Sequence, residues 1–172
     1  KRTGISMTLI VEDGTEVANA NTYVSDAEFV AYAAARGQTI GSSAANREIQ
    51  LIKSMDYIEG HRSKFKGTKN NQIQALQWPR YNVVIDTYYL DSDEIPQELK
   101  DAQMEAGIFI NSSEILKTGT TQNISREKLD KLEVAYFSGG SYEVSRTDSV
   151  DVKLDVLLRN GSNGLNGVVT RA

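Results

Sequence analysis

One run constrains the fold of this chain more than any other. Between Ile95 and Lys117, Pro96 is followed by Leu99, Ala102, Ala106, Phe109 and Ile110. Those apolar positions recur every three and four residues, the spacing of one face of an α-helix. Pro96 suits the first helical position because its missing N–H would have no intrahelical partner there, and Glu98 complements the positive end of the helix dipole. The pattern predicts a helix to about Lys117, ahead of Gly119. A helix with a single apolar stripe must be covered by other elements, so the rest of the chain has to supply the cover.

Further helices are legible on both sides of it. Ser25-Asp26-Ala27-Glu28 is a capping box, opening a helix that carries Phe29, Val30, Tyr32 and Ala33 and ends at Gly37, a natural left-handed cap. Ser42 or Ser43 can cap a second helix, in which Ile49, Leu51, Ile52, Met55 and Ile58 share one broad face as far as Gly60. A short last helix is expected from Ser149 to Arg159, with Val150, Leu154, Leu157 and Leu158 inward. Thr8 to Val11 reads as a strand or extended arm, closed by the turn residues Glu12-Asp13-Gly14. Ile124 and Leu132 to Phe137 bracket the charged run 126–131, which suggests a β-hairpin near 122–137, with a short helix across 126–131 as the competing pattern. The expected fold class is therefore mainly α: a small bundle of about four helices with a β-hairpin and extended terminal arms. With 172 residues and no internal repeat, one domain is expected over residues 1–160. Residues 161–172 have too little apolar content to fold alone and are expected to form a flexible C-terminal arm. Met7 is a candidate natural start.

Charge is banded along the chain. His61 to Arg80 holds five cations (Arg62, Lys64, Lys66, Lys69, Arg80), no carboxylate, the only histidine and the only tryptophan, in a chain of net charge -4. From Asp86 to Glu105 the sign reverses, with seven carboxylates against Lys100 alone. A sequence pI near 5.1 argues against a protein that grips duplex DNA over its whole surface, since that affinity comes mostly from neutralised phosphates. Without cysteine there is no disulfide or thiolate ligand, and one histidine cannot build a multi-histidine metal site. No apolar run approaches the roughly 20 residues that span a bilayer, so a soluble protein with no membrane partner is expected.

Catalytic chemistry finds little support, and no enzyme is expected. His61 is the one side chain with a suitable unperturbed pKa, yet no nucleophile-elbow pattern accompanies any serine. No phosphate-cradling glycine motif is present. Asp91-Ser92-Asp93-Glu94 lacks the glycine and spacing of a calcium loop, so no metal or other cofactor is expected, and these carboxylates read as a solvated, helix-N-terminal face.

Two readings compete for the basic stretch. Phe65, Lys66, Trp78 and Arg80 supply the cations and aromatic faces on which a single strand of nucleic acid could lie. Trp78, however, stands between Leu76 and Pro79, which fits a core anchor with its indole N–H on a carbonyl better than a stacking platform. Ile73 and Leu76 are expected to return the chain to the core with it, after a loop at Gly67 to Gln72. In the second reading, Arg62, Lys64, Lys66 and Lys69 form an assembly loop that meets Asp91, Asp93 and Glu94 of a neighbouring copy.

The order of motifs resembles a tailed-phage family. The segments that carry the resemblance are MTLIVEDGTEVANANTYVS, FKGTKNNQIQALQWPR and IPQELKDAQMEAG, followed by a late hairpin and a short leucine-rich helix. Members of that family are regarded as head-tail connector or adaptor proteins, and some carry a DnaT-like single-stranded-DNA-binding label. The resemblance covers roughly residues 7–158. It implies a helical subunit that assembles as a ring, commonly of twelve copies, below the portal protein, and joins it to the next neck or tail protein while DNA passes through the lumen. The implied place is the virion neck, after synthesis in the host bacterial cytoplasm. Leu157 and Leu158, with Leu165, Val168 and Val169 of the arm, are the candidates for docking onto the portal. The alternative that the other label implies is an accessory protein of phage replication that binds single-stranded DNA.

Overall fold

A computed structural model describes residues 8–112, 126–129, 132–135 and 147–159. Its elements are α1 (Asp26–Ala35), α2 (Ala44–Gly60), β1 (Thr68–Lys69), β2 (Arg80–Tyr81), β3 (Val84–Ile85), β4 (Tyr88–Tyr89), α3 (Gln97–Ser112), β5 (Arg126–Leu129), β6 (Leu132–Ala135) and α4 (Thr147–Asp155). The mainly α reading holds, with four helices and short antiparallel strand pairs among the described residues.

Local chemistry sets the helix ends. Ser25 Oγ accepts from the Glu28 N–H while the Glu28 carboxylate accepts from the Ser25 N–H, so both halves of the capping box are present. Gly37 follows α1 at φ +61°, and Ser43 caps α2 by accepting from the Asn46 N–H. The carbonyl of Pro96 receives the N–H groups of Leu99 and Lys100, placing the proline one residue ahead of α3. Residues 113–117 of the expected helix lie outside the described residues.

α3 is the centre of the packing. It lies against α1, α2 and α4, and its Leu99, Ala102 and Ala106 share one core with Tyr23, Met55, Ile58, Phe65, Trp78, Val150, Leu154 and Leu157. A smaller cluster joins Phe29 and Tyr32 of α1 to Leu51 and Met104. The helix faces are narrower than the sequence suggests: Val30 and Ile49 point outward, and Ile73 is 86% exposed instead of returning to the core. Position 73 lies in a loop whose backbone is held by polar side chains, with Asn71 Oδ1 accepting its N–H.

The long connection from α2 to α3 is less irregular than expected. Thr68 pairs with Tyr81 and Lys69 with Arg80, while Val84–Ile85 and Tyr88–Tyr89 form a tight hairpin. Gly67, at φ +65°, is packed so closely on the Tyr81 carbonyl and the Val83 side chain that a Cβ would overlap both. The late hairpin also exists, pairing Arg126 with Ala135 through Leu129 with Leu132. Its first strand, Arg126–Leu129, therefore occupies most of the charged run expected to be the turn.

Candidate functional site

The basic stretch does not lie open. Its middle, Lys64 to Lys66, runs beside Leu157 to Arg159: the Lys66 N–H donates to the Leu157 carbonyl, the Arg159 N–H to the Lys64 carbonyl, and Phe65 bridges Leu158. Phe65 thereby points inward and meets Trp78 edge to face, with ring centroids 5.8 Å apart. Both rings are completely buried.

Arg80 is buried beside them. Its guanidinium donates to the carbonyls of Lys66 (2.7 Å), Gly67 (3.0 Å) and Gln77 (3.2 Å). Burial, and next the charge of Arg159, pull it below its ordinary value. A guanidinium can be sunk this way because its fork of donors matches several carbonyls at once. Three of the four residues suggested for nucleic acid, Phe65, Trp78 and Arg80, thus belong to the interior and offer a strand neither stacking face nor free charge. The indole N–H of Trp78 finds no acceptor among the described residues, contrary to expectation.

The assembly-loop cations divide in two. Lys66 Nζ donates to the carbonyls of Val84 and Val156, and Lys69 Nζ to that of Gln74, so both ammonium groups hold the fold together. Arg62 and Lys64 are exposed and form no ion pair among the described residues. Asp91, Asp93 and Glu94 are likewise exposed and unpaired. Their backbone is anchored: Asn70 donates to the Ser92 carbonyl, and Gly14 packs on the Asp93 carbonyl too closely for any Cβ. The one ion pair among the described residues is elsewhere, between Arg47 and Asp26.

The docking candidates are corrected in part. Leu157 is fully buried and Leu158 packs against the same core, so neither can leave for a partner without opening the molecule. Leu165, Val168, Val169 and the rest of the arm lie outside the described residues. His61 closes α2, with Nδ1 3.1 Å from the Tyr57 carbonyl and its ring edge-on to Tyr57, a structural placement. No group of three or more metal-ligating side chains occurs among the described residues, and none of their helices is long and apolar enough to cross a membrane.

Two features escape a reading of the sequence. One is a buried polar clamp: Tyr23 OH donates to Glu59 Oε1 and accepts the Trp78 N–H, each at 3.1 Å, while Glu59 Oε1 also accepts the Gln77 N–H. Burial raises the Glu59 carboxyl above its ordinary value, and burial together with the Glu59 charge pushes the Tyr23 phenol well up. The other is the β3–β4 hairpin, whose Tyr88 and Tyr89 are 77% and 80% exposed. Its turn residues, Asp86 and Thr87, have φ of +47° and +76°. The repeat of two adjacent tyrosines after a β-branched pair was the available signal.

Residues 7–172 match the model of a family described as "Putative DnaT-like ssDNA binding protein". No curated protein and no solved structure matches the chain.

Proposed function

This chain belongs to the DnaT-like ssDNA-binding family, and within it we propose that the chain works as an assembly subunit, the head-tail adaptor of a tailed phage, joining a portal ring to the next neck component. The observation behind this reading is where the aromatic side chains lie. Phe65 and Trp78, placed by sequence among the cations, are buried, whereas the well-exposed Tyr88 and Tyr89 belong to the chain segment that carries the exposed Asp86, Asp91, Asp93 and Glu94. A stacking surface for a single strand needs the reverse, since phosphates must be neutralised where the bases stack. Free cations on one segment, and free carboxylates with aromatics on another, suit contacts between protein surfaces. The net charge of -4 suits a subunit past which DNA must slide, because like charge discourages sticking. The test is sedimentation with purified portal rings: the chain should pellet with them as a defined multiple, and a chain left in the supernatant overturns the reading.

Single-stranded DNA binding is the second reading, and the family description favours it. With Arg80 buried and the Lys66 and Lys69 ammonium groups on carbonyls, Arg62 and Lys64 are the uncommitted cations of the loop. At about 0.7 per phosphate, two cations give a slope of about -1.4 for log K against log salt. Oligothymidine binding of that slope, lost in R62S/K64S, would support this reading.

A further inference from the structure

The exposed hairpin asks for a partner. Two adjacent tyrosines that solvent reaches over more than three quarters of their surface are unusual where the other rings among the described residues are mostly packed. They are also held rigidly. Val84 pairs with Tyr89 and Ile85 with Tyr88, across a two-residue turn with positive φ at both positions. Threonine at φ +76° is costly for a β-branched side chain, and such strain persists where surrounding structure enforces it. The Leu90 N–H on the Val83 carbonyl and the Lys66 ammonium on the Val84 carbonyl anchor the hairpin's base.

The charge around the tyrosines tells what they fit. Asp86, Asp91, Asp93 and Glu94 are all exposed, and none has a cationic partner among the described residues. A segment that exposes both tyrosine rings and carboxylates attracts a guanidinium or ammonium twice, by the ring quadrupole and by the charge. The same surroundings repel a phosphate backbone. The chain itself carries the complementary surface, Arg62 and Lys64, exposed and unpaired at the end of α2. We propose that the Tyr88–Tyr89 hairpin is a docking surface for a second copy of this chain, which inserts Arg62 and Lys64 between the tyrosines and the acidic run. This rests on the assembly reading and adds to it an aromatic anchor, the residue type that dominates interface energetics.

Sedimentation velocity over a concentration series tests the pairing with two variants, Y88S/Y89S and R62S/K64S. All four side chains are exposed, so each variant should keep the wild-type melting temperature within about 2 °C. The wild-type chain is expected to self-associate, with each variant weakened about 30-fold or more and the wild-type association falling as salt rises. Mixed together, the variants should form a one-to-one pair, because one retains the hairpin and the other the cations. A wild-type chain that stays monomeric, variants that assemble like the wild type, or a mixture that does not pair each overturns the proposal. Binding of oligothymidine abolished by Y88S/Y89S also overturns it, since DNA would then occupy the hairpin. Failure of the assembly reading is seen separately, as absence from portal-ring pellets; a wild type that joins the rings while Y88S/Y89S joins equally well sinks the hairpin proposal alone.

Discussion

Replacing Tyr23 by phenylalanine removes one oxygen and asks what the buried clamp is worth. The hydroxyl accepts the Trp78 N–H and donates to Glu59 Oε1, at 3.1 Å in both cases, in a side chain with no exposed surface. Phenylalanine fills the same volume, so the cavity term is negligible and the loss is polar. The Trp78 N–H is left buried without an acceptor, at a cost of about 1–3 kcal/mol. For a chain of this size each kcal/mol lowers the melting temperature by about 2–4 °C, so a central estimate of about 2 kcal/mol gives a fall of about 4–8 °C. The penalty should also depend on pH. Burial raises the Glu59 carboxyl, so the folded chain holds that proton more tightly than the unfolded one. Stability therefore falls as pH rises from the ordinary glutamate range through the raised folded value, and levels off above it. The Tyr23 hydroxyl favours the charged form of Glu59, and without it the ionised carboxylate is worse off. Y23F should accordingly lose more at about pH 8 than at about pH 4.5, and E59Q should abolish that difference. Thermal unfolding followed by circular dichroism across pH is the assay. A fall below about 1 °C, or a penalty that does not change with pH, would refute the reasoning.

Other perturbations follow from the same core. R80K should cost about 2 kcal/mol in chemical denaturation, since an ammonium cannot serve the Lys66, Gly67 and Gln77 carbonyls together, and wild-type stability would mean the fork is not needed. G67A should cost about 2–3 kcal/mol, combining a left-handed φ with overlap on the Tyr81 carbonyl and Val83, and an unchanged denaturation midpoint would contradict that packing. The hydrogen bond from Arg47, and its charge, hold the Asp26 carboxyl below its usual range. The stability this lends is present above the ordinary aspartate pKa and is lost as pH falls through the lowered folded value; D26N should therefore differ from wild type near neutral pH and converge with it in acid, as read by melting temperature.

The helices were legible because their signals are local. Ser25 and Glu28 sit three residues apart and cap each other, Ser43 caps α2, and the Leu99, Ala102, Ala106 row needs no distant residue to be recognised. Arg80 was not legible as an interior residue. A sequence shows its charge, but the carbonyls that take its protons come from residues 66, 67 and 77, which only the folded loop brings together. Ile73 misled in the opposite direction: its apolar side chain suggests burial, while Asn71 and Gln74 fix the backbone so that it faces solvent. The β3–β4 hairpin was hidden because Asp-Thr stands where Asn-Gly would have announced the turn. The candidate site was read in its ingredients and misread in its partition, since Lys66 and Lys69 look like Arg62 and Lys64 until their carbonyl partners are seen.

The pairing of Lys64 to Lys66 with Leu157 to Arg159 has a consequence for synthesis. Phe65 and Trp78 lie in one core with Val150, Leu154 and Leu157, which the ribosome makes much later. Closing a loop across so much sequence costs entropy before any contact repays it, and such closures slow folding. A nascent chain that has reached the end of α3 therefore has the aromatic centre of the protein but not its lid. Until residue 159 has emerged, the side of this core that Val150, Leu154 and Leu157 cover stays open, and the interval of greatest risk for aggregation is set by the rate of translation as much as by the sequence.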